Sequence, residues 1–206
     1  MRPCEHVAGI VGNGEYEIKD INRHMRKTIL TFGLISGAIS SLMMVVTVPI
    51  AHRVGRDQAV VLGYTSIVLS FLLVFFGIRS YRDNVDNGQI TFLKAFAVGI
   101  SITLISCICY VVTWEVMYYN VFPDFWDRYG AHLVEKLRAS GASPAVVQAK
   151  LQQVKKYKEM YKNPLINAAM TFIEPFTIGL VITLISAVAL RRKPQSQPQQ
   201  SPLHAS

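Results

Sequence analysis

Thr171–Ser186, TFIEPFTIGLVITLIS, is an apolar run that carries a single acid, Glu174, followed at once by Pro175. Eighty positions upstream stands a near copy, Thr91–Ser106, TFLKAFAVGISITLIS, identical at nine of sixteen positions. Apolar runs resemble one another by composition alone. Gly99/Gly179 and Ser106/Ser186 also match in register, which is harder to obtain by chance, and duplication and coincidence both stay open. The main departure is Lys94 where the later copy has Glu174.

The surrounding chain explains why such a run exists. Of 206 residues, 51% are hydrophobic, and they come in long uncharged blocks instead of amphipathic stripes. Residues 28–51 and 58–78 contain no Asp, Glu, Lys or Arg. Each meets the length of about 20 residues that crosses a hydrocarbon core of about 30 Å. Two further runs, at about 91–118 and about 165–190, are interrupted only by Glu115 and Lys94 in the first and Glu174 in the second. The expected fold is therefore an all-α membrane protein with four transmembrane helices, occupying residues 28–193. The net charge of +8 does not indicate nucleic acid, because the Lys and Arg residues flank the span ends or fall in one polar insert.

Residues 1–27 are expected to form a loose polar tail, and Met25-Arg26-Lys27-Thr28 reads as a natural start for a membrane protein. The first span pairs Gly33 with Gly37, a small-residue face for helix packing within the bundle. The polar turn from His52 to Asp57 makes a hairpin with the second span, and a turn-rich connection from Arg79 to Gly88 follows it. Between spans three and four, residues 124–162 predict an extramembrane αα-hairpin. Its first helix carries Trp126, Tyr129, Leu133 and Leu137 and is closed by Gly141; Ser143 and Pro144 open the second, with Val147, Leu151, Val154, Tyr157 and Tyr161 on one side. Asn163 and Pro164 repeat the start signal for span four. Residues 194–206, rich in Gln, Pro and Ser, are expected to be disordered.

Candidate functional residues follow from depth. At 1.5 Å per residue, Glu174 lies beyond the midplane toward the hairpin, level with Tyr64 in span two and Tyr110 in span three. These three form the expected intramembrane polar cluster, with Tyr110 the expected partner of the acid. Pro175 removes a backbone donor and predicts a kink. Glu115, Lys94, Arg79, Arg82, Trp114 and Trp126 are expected at the interfaces, where charges and amphipathic rings anchor a bundle. Cys107 and Cys109 point to different helix faces, so no disulfide follows, and no metal or cofactor motif is present.

Four segments together carry a resemblance: Phe75 to Asn84 (FFGIRSYRDN), Cys109 to Trp114 (CYVVTW), Tyr161 to Leu165 (YKNPL), and Glu174-Pro175-Phe176 with Thr183 to Ser186. In this order they resemble an uncharacterised bacterial family of integral membrane proteins, the domain of unknown function four-one-nine-nine. The resemblance covers about Met25 to Lys193 and implies four spans; it implies no activity. No catalytic motif is found, so the first functional reading is a membrane scaffold, accessory or regulatory subunit without catalytic activity. The alternative is a small oligomeric transporter or an ion or proton pathway using Glu174, since intramembrane acids are costly and mark such pathways. The expected partners are the lipid bilayer and either a second copy or another membrane protein, with no nucleic acid. Arg23, Arg26 and Lys27 outnumber Arg53 and Arg56, which places both termini on the cytoplasmic side of an inner (plasma) membrane.

Overall fold

The computed structural model describes residues 4–54, 56–86 and 88–192, with side chains over 22–49, 58, 61–86 and 88–192. Among them run six helices: α1 (Cys4–Val54), α2 (Arg56–Asn84), α3 (Phe92–Asn120), α4 (Phe125–Ala139), α5 (Pro144–Tyr161) and α6 (Pro164–Leu190). There is no strand among the described residues beyond one antiparallel bridge, Ile90 to Arg192, which ties the α2–α3 turn to the end of α6. Four segments are long and apolar enough to cross a membrane: Asn22–Pro49, Val61–Asn84, Phe92–Asn120 and Pro164–Leu190. The starts of the later helices are set as the sequence dictates. Thr91 accepts from the Lys94 amide, Ser143 from the Val146 amide and Asn163 from the Leu165 amide, and Pro occupies the first position of α5 and α6.

Three expected loops are helical instead. The N-terminal tail is backbone helix from Cys4, since no proline after Pro3 interrupts it and its glycines, costing about 1 kcal/mol each, are carried by continuity with the span. The turn expected over His52–Asp57 is shorter, because α1 continues to Val54 and α2 begins at Arg56. The connection expected from Arg79 continues α2 to Asn84, held by Arg79 against Asp83 and by the Asn84 amide donating to the Ser80 carbonyl at 2.9 Å. The chain then turns at Gly88, whose φ of 77° suits only a residue without Cβ. The C-terminal tail lies outside the described residues.

The bundle core is a layer of Phe71, Val74, Ile78, Val98 and Ile102, all at most 2% exposed, between α2 and α3 and closed by α6. Small residues bring the backbones together around it. Gly33 and Gly37 of α1 face α3, where a Cβ would stand 2.9 Å from Ile105 and 2.7 Å from Cys109. Ser106 donates to the Gly33 carbonyl at 3.1 Å and Ser36 to the Ser70 carbonyl at 2.8 Å.

The repeated run acquires a structural meaning at the α3–α6 contact. Thr103 and Thr183, the same position of the two copies, hydrogen-bond to each other at 3.0 Å. A Cβ on Gly99 would meet Thr183 at 2.8 Å, and one on Gly179 would meet Thr103 at 2.5 Å. The contacts are reciprocal, so the two copies run antiparallel about a local two-fold between the threonines. Each glycine makes room for the other copy's threonine methyl.

Candidate functional site: a chamber beneath α4 and α5

Glu174 and Thr171 stand on one face of α6 with Asn167, at i, i+4 and i+7. The indole N–H of Trp114 donates to the Asn167 Oδ1 at 3.0 Å, and the Thr171 hydroxyl reaches the same oxygen at 3.4 Å. Asn167 is fully buried. Sequence reading passed over it, although the spacing of three polar residues along an otherwise apolar helix was a usable signal.

Glu174 itself does not lie inside a helix contact. It is exposed on the wall of a chamber of about 880 Å³. This falls within the range of about 300–1,000 Å³ of small-molecule sites. The residues facing it from α1 and α2, Ser40, Gly63 and Ser66, are too small to fill the gap. Met43, Met44, Thr47 and Ile67 complete the membrane-side wall, with Tyr64 and Tyr110 at the level of the acid.

The three members of the expected cluster do come together. Tyr64 and Tyr110 both line the chamber with Glu174, each near enough to it for electrostatic coupling. A fourth hydroxyl joins them from outside the membrane segments. Tyr161, the last residue of α5, lines the chamber with Thr171 and is coupled electrostatically to Glu174; burial raises its phenol pKa.

The far side of the chamber is formed by α4 and α5, which pack through Gly130. There a Cβ would stand 3.3 Å from Val154 and 3.9 Å from Leu151. Trp126 stacks on Tyr157 with ring centroids 5.6 Å apart and meets Tyr161 edge-on at 4.9 Å. Outside, the Lys158 ammonium lies 2.6 Å from Asp127, which raises the lysine pKa. Gly141 turns the chain between the two helices with φ of 73°. These contacts are consistent with the expected helical hairpin, and Gly130 is the contact that the apolar stripe did not reveal.

The α4 and α5 residues facing the chamber include Arg128, His132 and Lys150 and no acid. Arg128 is paired with Asp124 at 2.6 Å, whereas Lys150 reaches only the Gln153 side-chain oxygen at 3.3 Å. Two buried polar atoms of the lining have no hydrogen-bond partner: the Trp126 Nε1 and the Thr47 Oγ1. On the opposite side the chamber stops. No described lining residue lies farther along the spans than Ser40, Ile67, Tyr110 and Glu174; the next layer is the Ser36–Ser70 bond, Phe71, Ile102 and the Thr103–Thr183 pair.

The other expected site residues lie apart from this chamber or at its edge. Lys94 pairs with Asp86 at 3.0 Å, and Arg82, 11% exposed at its side chain, pairs with Asp83 at 2.7 Å. Both sit with Arg79 at the α2–α3 end. Glu115 is half-buried one residue past Trp114, with its Oε1 unpartnered. Pro175 is buried within α6. Among the described residues no group of three His, Cys, Asp or Glu side chains is placed to hold a metal.

Four helices long and apolar enough to cross a membrane define a multi-pass α-helical membrane protein. Residues 31–192 match the model of the family described as Protein of unknown function (DUF4199), and the chain belongs to that family. No curated protein and no solved structure matches it.

Proposed function

We propose that the protein is a non-catalytic, non-conducting membrane subunit that works by binding, an accessory or regulatory component whose chamber and α4–α5 pair receive a ligand or partner at one membrane face. The observation that carries this reading is the chamber's floor. A pathway for protons or ions needs polar or wet continuity across the bilayer. Here the polar lining ends at Glu174, and a packed layer centred on Phe71 and Ile102 follows. The hydroxyls in that layer are bonded to one another or to backbone carbonyls. Under the same reading the protein resides in an inner (plasma) membrane with both termini cytoplasmic and α4–α5 on the outer side.

The test is reconstitution into liposomes carrying a pH-sensitive dye. Wild type and Glu174→Gln should both leak protons no faster than protein-free liposomes under an imposed potential. A flux that wild type sustains and Glu174→Gln loses would favour the alternative reading, a small oligomeric pathway through Glu174.

A further inference from the structure

The chamber is chemically two-ended. Its α4–α5 end offers donors and no acid: the Trp126 N–H is buried and unpartnered, and Lys150, which reaches only the Gln153 side-chain oxygen, has no carboxylate partner among the described residues. His132 and the Asp124-paired Arg128 stand beside them. The only acid among its described lining residues, Glu174, sits at the opposite end. Between the ends the walls are Met43 and Met44 with aromatic rings, and Ile67 lies at the level of Glu174. An indole N–H has no lone pair to offer, so its missing partner must be an acceptor. An ammonium without a counter-ion at the mouth of such a chamber favours a ligand oxygen that carries charge. A second unsatisfied group, the Thr47 hydroxyl, is 6% exposed and lines the apolar stretch. It suits a carbonyl or hydroxyl partway along a chain.

We propose that the chamber binds one acidic amphiphile, a lipid-like molecule whose phosphate or carboxylate head sits beneath α4 and α5 against Trp126 and Lys150. Its chain runs along Met43, Met44 and Ile67. Glu174 sets the orientation, because an acid at the floor offers an anionic head no cation, whereas Lys150, His132 and Arg128 stand at the other end. The same carboxyl, with three tyrosines around it, invites the opposite ligand, an alkylammonium; the unpartnered donors at the other end and the absence of an acid there favour the anion. This inference rests on the reading of the chamber as a blind binding site and adds the class of ligand.

Both tryptophans of the chain, Trp114 and Trp126, line the chamber, so intrinsic fluorescence reports its occupancy. The full chain in phosphatidylcholine nanodiscs is titrated with dodecyl phosphate, dodecyltrimethylammonium, dodecyl maltoside and inorganic phosphate, and native mass spectrometry counts bound molecules. Dodecyl phosphate should give a saturable change at one molecule per chain. Lys150→Gln, at an exposed position, should weaken it about tenfold, Lys150→Arg should restore it, and Glu174→Gln should not weaken it. Inorganic phosphate should produce no change at matched concentration; if it saturates the site alone, the ligand is a free oxyanion and the amphiphile assignment falls. Tighter binding of dodecyltrimethylammonium that Glu174→Gln abolishes reverses the charge assignment and overturns the proposal. Equal binding of the maltoside also overturns it while leaving the binding-subunit reading standing. If none of the amphiphiles binds, both fall.

Discussion

At the scale of single residues, Gly179, with Gly77, carries one of the two tightest constraints among the described glycines. Its missing Cβ would lie 2.5 Å from the Thr103 methyl and 2.9 Å from the Phe71 ring, and neither neighbour can move without disturbing a fully packed layer. Gly179→Ala should therefore destabilise the protein by about 1–3 kcal/mol, the usual cost of overpacking. Thr103→Ser in the same chain should recover much of that, since it removes the obstructing methyl and keeps the hydroxyl that bonds Thr183. Gly63→Ala is the contrast: nothing lies within 4 Å of its Cβ position, and a helical Ala gains up to about 1 kcal/mol over Gly. Thermal unfolding in micelles, followed by circular dichroism, ranks the three. An equal gain for Gly179→Ala and Gly63→Ala would show that helix propensity, not the α3–α6 contact, governs both.

At the scale of elements, what the sequence disclosed and what it hid divide along physical lines. The four spans were legible because a membrane helix announces itself by composition over some 20 residues, and the caps Thr91, Ser143 and Asn163 by local chemistry. The heights of Glu174, Tyr64 and Tyr110 were legible too, since axial rise is a constant. Rise says nothing about rotation around the helix axis, so it does not choose between Tyr64 and Tyr110 as the neighbour of the acid. A chamber is harder still to read, because it reflects side chains too small to fill a gap, here Ser40, Gly63 and Ser66, and a helix pair closing over it. Helix ends were misjudged where polar residues such as Arg79–Asp83 paired along the helix instead of leaving it.

The α4–α5 pair yields two expectations. Gly130→Leu should force α4 from Val154 and cost about 1–3 kcal/mol, while Lys158→Ala should be close to neutral because its ion pair with Asp127 is exposed. Tyr161 makes the docking of α5 on the bundle sensitive to alkali. Burial raises its folded pKa above the unfolded value of about 10, so its contribution is complete below about pH 10 and is lost as pH rises through the folded value. Trp126, edge-on to Tyr161 at 4.9 Å, is the reporter: in a Trp114→Phe background its emission should fall on alkaline titration. Tyr157 and Tyr118 also face this region, so the Tyr161 component is the part that Tyr161→Phe removes. An unchanged titration curve in Tyr161→Phe would assign the loss to those two instead.

At the scale of the whole molecule, one experiment addresses both the sidedness of the bundle and the depth of the chamber. The Ile90–Arg192 bridge and the Lys94–Asp86 pair put the α2–α3 turn and the end of α6 at one face, which leaves α4, α5 and the chamber mouth at the other. In a chain with its native cysteines replaced, a cysteine at Thr171 or Ser66 lines the chamber, whereas one at Thr183 lies in the fully buried layer beyond it. A membrane-impermeant thiol reagent should label Thr171→Cys and Ser66→Cys only from the α4–α5 side, and Thr183→Cys from neither. Cysteines at Asp86 and Arg191 should label only from the opposite side. Comparing sealed vesicles of the two orientations fixes which face is cytoplasmic, because the α4–α5 positions should react only in those that expose the outer side. Labelling of Ser66→Cys from both sides would mean that the layer of Phe71, Ile102 and the two threonines opens. The chamber would then be half of a pathway, and Glu174 its charged constriction instead of its floor.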